Sequence, residues 1–128
     1  MKKNRKNLEA EAIDLVRKWA PKIFLDEWRI HVSFPKSQLK WEHGITNCDI
    51  QVCTTYLEAR MRVFPSWFHA KPEERELMIV HELCHIHTQE LADQVIALKD
   101  GRLVTESQYR HAHERLTQRL AYIAMRKP

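Results

Sequence analysis

Hydrophobic periodicity changes twice along this chain, and those changes limit the folds open to it. Residues 8–20 place Ala12, Ile13, Leu15, Val16, Trp19 and Ala20 at the 3.6-residue repeat of a helix, and Pro21 predicts its end or a kink. Three stretches then alternate with period two. Trp28, Ile30, Val32 and Phe34 oppose Arg29, His31 and Ser33; Cys48, Ile50, Val52 and Thr54 oppose Asp49, Gln51 and Cys53; Ala59, Met61 and Val63 oppose Glu58, Arg60 and Arg62. Each reads as a half-buried strand, with Pro35 and Pro65 closing two of them. Connections this short predict antiparallel neighbours.

The helical repeat then returns. Pro72 followed by Glu73, Glu74 and Glu76 suits a helix start, because proline fits the first turn and carboxylates fit the positive end of the dipole. That helix is expected to run through Leu77 to at least Thr88 and, after a break, to Lys99, ahead of Asp100-Gly101. Thr105 and Gln108 have capping-box spacing and open a last helix to about Met125. The sum is an α+β fold: an N-terminal helix, a small sheet of three to four strands, then helices.

With 128 residues, two glycines and no repeat or linker, residues 1–128 read as one domain, with 1–7 a flexible basic tail. Apolar residues at 44% and charged residues at 30% argue against wholesale disorder. The longest apolar run is six residues, 120–125, against the roughly 20 needed to span a bilayer, and no signal-peptide pattern is visible. Three cysteines, Cys48, Cys53 and Cys84, are an odd number without framework spacing, so reduced thiols and a cytoplasmic setting are expected. The net charge of +4 permits nucleic-acid contact without requiring it. No membrane partner is expected.

His81-Glu82-Leu83-Cys84-His85 is the most informative segment. Histidines four apart on a helix share a face, so His81 and His85 can converge on one cation. Two imidazoles cannot close a tetrahedral zinc shell, which leaves places for a third ligand and a water. Glu82 lies about 100° round the helix from His81, where its carboxylate can reach that water.

The run from Ile79 to His85 resembles the active-site helix of the zincin metallopeptidases, and the strands before it resemble the sheet whose edge holds substrate. The likeness is closest to the small gluzincins, including single-domain minigluzincins and short phage-type metallopeptidases. It covers most of residues 8–126, though only the pentapeptide is highly specific. The resemblance implies a zincin-like domain and a zinc-dependent peptidase binding one zinc ion, with His81 and His85 as ligands, Glu82 as general base and a peptide or protein as substrate. The segment from Glu114 through Thr117 to Leu120 and Ala121 is similar to the gluzincin third-ligand helix, which favours Glu114. Helical-wheel arithmetic favours His113, which borders a face of Tyr109, Ala112, Leu116, Leu120 and Ile123 that Glu114 mostly opposes.

Among the remaining residues, Cys84 reads as a small apolar filler on a Leu77/Val80/Leu91 face, and His87 as a surface histidine. Cys48 and Cys53 lack the partners for a second metal site. Tyr56, Tyr109 and His111 are candidates to stabilise an oxyanion, and no spacing selects among them. Arg60 and Arg62 suit either a solvated strand face or a cleft for acidic peptide. The strand at 58–64 is expected to be exposed and to pair with extended substrate. So small a domain leaves little room for a deep cleft, which suits a latent or narrowly specific enzyme. The alternative is a zinc-stabilised binding module without catalysis, nucleic-acid-associated in one form.

Overall fold

The computed structural model describes residues 4–125. Helix α1 (Arg5–Lys22) begins where the Asn4 side chain accepts the Asn7 backbone N–H at 2.9 Å, and it buries Leu8, Ala12 and Val16, one per turn. Arg5, Lys6 and Asn7 are therefore helical rather than part of a flexible tail; residues 1–3 of that expectation lie outside the described residues. Pro21 sits in the last turn, and the chain leaves through Phe24, whose φ of 62° is left-handed. Phe24 N–H bonds the Pro21 carbonyl at 3.3 Å and Leu25 N–H bonds the Ala20 carbonyl at 2.8 Å, a closure that glycine usually makes. Left-handed backbone at a residue with a Cβ costs about 1–2 kcal/mol. The Phe24 ring meets Tyr122 at 5.8 Å.

Strands β1 (Arg29–Ser33), β4 (Cys48–Cys53) and β5 (Glu58–Val63) form one sheet in the order β1-β5-β4. Strand β4 is antiparallel to β5 across the turn at 54–57, as short connections predict. Strand β1 instead runs parallel to β5, with Ile30 opposite Ala59 and Val32 opposite Met61. Between β1 and β4 the chain makes a separate hairpin, β2 (Leu39–Trp41) with β3 (Gly44–Thr46). That excursion makes the link from β1 to β5 long enough for parallel pairing.

The alternation holds on β5, where Ala59, Met61 and Val63 are buried under the helices and Glu58, Arg60 and Arg62 face the other way. On that open face Arg62 donates two bonds to Asp49, at 2.9 and 2.5 Å, and Arg60 lies 3.9 Å from Glu58. The arginines thus sit on an ion-paired, solvated face.

Helix α2 (Pro72–Lys99) is continuous for 28 residues, without the expected break. Its start is fixed from several sides. Glu74 accepts the Lys71 N–H at 3.4 Å, and Trp67, fully buried, donates its indole N–H to the Arg75 carbonyl at 3.1 Å. The buried Arg75 guanidinium donates to the Ala70 carbonyl at 2.7 Å and to the Glu11 carboxylate at 3.1 and 3.3 Å. Glu76 accepts from Lys18 at 2.9 Å and from the Trp19 indole at 2.8 Å, tying α2 to α1 again.

The face α2 buries is Ile79, Leu83 and Ile86, which join Met61, Val63 and Trp67 in the core. Of the Leu77/Val80/Leu91 face that seemed destined for the interior, Leu77 and the adjoining Cys84 are exposed and Val80 and Leu91 are only half-buried. Helix α3 (Glu106–Met125) opens on the expected capping box, with Thr105 N–H to Gln108 Oε1 at 2.9 Å and Gln108 N–H to Thr105 Oγ1 at 3.1 Å. It is tied to α2 where Gln94 donates to the Gln108 carbonyl at 2.8 Å and Arg115 bonds Glu90, with Ala112 buried and Leu116 half-buried. Tyr109 and Leu120 are half exposed, so the contact face is rotated from the one the wheel gave. No helix of the described residues is long and apolar enough to cross a membrane.

His87 departs most from expectation. It is buried, and its Nε2–H donates to the carbonyl of Ile23, the C-cap of α1, at 2.5 Å. One helix thus satisfies a terminal carbonyl of another. Burial holds the His87 pKa below 6.5, with Arg119 adding to the effect and the bond to Ile23 opposing it. The unfolded chain therefore binds the extra proton more readily, so stability is full above about pH 6.5 and is lost as pH falls below it. Urea midpoints should drop between about pH 7.5 and about pH 5.5. His87→Gln, which keeps an N–H donor but does not titrate, should flatten that drop; an unchanged slope would show that His87 does not set it.

Candidate metal centre

The rotation of α2 places the motif. Ile79 and Leu83 point into the core, and His81 and His85 each follow one of them by two residues, about 200° round the helix. Both imidazoles therefore project outward and are exposed, with Glu82 half-buried beside them. One ligand atom from each of the three lies within 4.8 Å of the others, and the two rings stand edge to face with centroids 4.9 Å apart. Among the described residues this is the one group of three His, Cys, Asp or Glu donors close enough to hold a cation.

The surroundings disfavour charge on these groups. Burial, then the Asp49 charge, pushes the Glu82 carboxyl up to about 7. Burial, then His81, pulls the His85 pKa below 6.5, so its imidazole is neutral at neutral pH, the form that ligates. A cation between the rings would restore the Glu82 carboxylate by simple attraction. Cys48 lies beneath, with its Sγ donating to the Met78 carbonyl at 3.7 Å. Burial, then Glu82 and Asp49, raises the Cys48 thiol to about 12, which keeps it protonated and unsuited to ligation. Cys53 and Cys84 are exposed and outside the group.

The structure does not bring the third-ligand candidates to this group. Glu114 and His113 are exposed on α3, and neither belongs to it. His113 stacks on Tyr109 at 5.7 Å, and Arg115, next to Glu114, is bonded to Glu90, five residues beyond His85. Of the oxyanion candidates, Tyr56 is 70% exposed at the β4–β5 turn and His111 is exposed near the start of α3.

Strand β5 is bonded on both sides, so residues 58–63 cannot take up a peptide; within this sheet the strands without an outer partner are β1 and β4. Strand β4 packs on α2, and its Cys48 and Asp49 are the residues whose proximity is felt at Glu82. Sequence patterning gave no sign of their closeness, since it fixes the face of a strand residue and not its neighbour on another element.

No protein-family model, no curated protein and no solved structure matches this chain.

Titration of the apo protein with cobalt or zinc should show one site per chain. His81→Ala or His85→Ala should weaken it by more than the roughly 100-fold that losing a ligand's hydrogen-bond support costs. Unchanged affinity in both variants would place the metal elsewhere.

Proposed function

We propose that this chain is a zinc-dependent peptidase in which His81 and His85 hold the metal and Glu82 is the general base. The observation that carries this reading is the convergence of the His81, Glu82 and His85 donors within 4.8 Å on an outward face of α2. The donor set suits zinc: imidazole nitrogens are good ligands, and two of them leave positions for further ligands and water. When bound, zinc supplies Lewis acidity, polarising a peptide carbonyl and easing ionisation of water. Glu82 then takes the proton of the attacking water on a carboxylate oxygen and delivers it to the departing amine nitrogen. A carboxylate held ionised beside the cation can accept that proton, and its protonated form can then give it up to the amine.

The open edge of β4, beside Glu82, is where backbone bonds would hold an extended peptide. The zincin resemblance of residues 79–85 supports the same chemistry, and three unpaired thiols suit a cytoplasmic setting. For the third ligand we propose Glu114, with His113 as the alternative. Either must come with α3, whose seat is slight: Ala112 is its one buried residue among those described.

Two measurements test this reading. Glu82→Gln should retain metal and fold while peptide cleavage falls by at least about 100-fold, since the amide cannot accept the proton. Cleavage at the native rate would remove Glu82 from the chemistry. In the cobalt-substituted protein, Glu114→Ala should change the visible spectrum and His113→Ala should leave it alone. The opposite pattern would make His113 the ligand.

A further inference from the structure

The outer half of the α2–α3 hairpin has almost nothing beneath it. Beyond His87 no described residue of α2 is buried, and in α3 only Ala112 is. Helices held by so little burial are marginal in water. The same region carries an apolar stripe. Leu77, Cys84, Leu91 and Leu98 recur every seven residues along α2, with Val95 four after Leu91, and Leu77, Val95 and Leu98 are 68%, 59% and 58% exposed. This heptad spacing is the signature of a seam that meets another helix.

Helix α3 extends the stripe. With the Gln108 and Arg115 side of α3 bonded to α2, Tyr109 and Leu120, each about half exposed, lie round α3 in the sense that brings them to the same side of the hairpin. Contiguous apolar surface of this kind marks an interaction site. His81 and His85 border this face.

The stripe is complementary to itself. Laid antiparallel about a two-fold axis beside Thr88, Leu77 meets Leu98 of a second copy and Cys84 meets its Leu91. The ends match in charge, because the acidic first turn of α2, Glu73 and Glu74, then lies against the basic last turn at Lys99. Antiparallel macrodipoles favour the same arrangement. We infer that this face is a homodimer interface, in which the α2–α3 hairpins of two copies pack antiparallel into a four-helix bundle. The inference stands apart from the metal chemistry, since it uses the flank of α2 next to the histidines and not the histidines themselves.

Sedimentation of the full chain at high micromolar concentration should give a dimer that persists in chelator. Leu98→Glu should give a monomer of unchanged helical circular dichroism that still binds metal, so failure here is distinguishable from failure of the metal site. Val95→Lys serves the same purpose should Leu98→Glu not fold. Register is tested by Leu91→Cys. Within one chain positions 84 and 91 are about 10 Å apart along the helix, too far for a disulfide, so a bond between them needs two chains. Mild oxidation with diamide should link Leu91→Cys into covalent dimers, and adding Cys84→Ser should abolish them. A monomeric native chain would overturn the proposal and leave the face to a helix of another protein. A dimer that survives both charge substitutions, or no Cys84-dependent link, would overturn it too.

Discussion

Burial of Ile79, Leu83 and Ile86 sets the rotation of α2, and the rest of the molecule is arranged around that choice. Each of these side chains removed from water contributes about 1.5–3 kcal/mol, and together they press one face of the helix onto Met61, Val63 and Trp67. Once that face is fixed, His81 and His85 must project outward, Glu82 must flank them, and Leu77 and Cys84 must stay at the surface. The bonds of Arg75 to Glu11 and of Glu76 to Lys18 and Trp19 lock the start of the helix, while His87 locks it to the end of α1. A metal site on a helix needs such fixing, since the donors must be held before the cation arrives.

Much of this was legible in the amino-acid sequence because local chemistry decided it. Alternation on β5 is unambiguous, and the structure buries Ala59, Met61 and Val63 as that alternation requires. The Thr105–Gln108 capping box and the Pro72 start likewise depend only on near neighbours. The i, i+4 spacing of His81 and His85 needs nothing but a helix. What local pattern could not supply is choice between competing faces. Helix α2 is apolar on two sides, Ile79/Leu83/Ile86 and Leu77/Leu91/Leu98, so periodicity alone could not say which one meets the sheet.

The same limit explains the other departures. His87 looked like a surface residue because nothing nearby in sequence announces the Ile23 carbonyl, 64 positions away, that it satisfies. Parallel pairing of β1 with β5 depends on the β2–β3 excursion, whose strands of three residues each are too short to show alternation. On α3, Ala112 rather than a large side chain is the one buried residue among those described, and an alanine carries little weight in a hydrophobic wheel. In each case a long-range partner decided the outcome.

The His81/Glu82/His85 group and the uncovered Leu77/Leu98 stripe are two consequences of one helix whose core-facing flank is fixed. The central claim is that the imidazoles of His81 and His85 ligate the metal. Zinc X-ray absorption of the protein loaded with one equivalent tests it most directly. Ligation by both histidines predicts the multiple-scattering pattern of two imidazoles, with the remaining shell made of oxygen or nitrogen. A sulfur shell, or a spectrum without imidazole scattering, would contradict it.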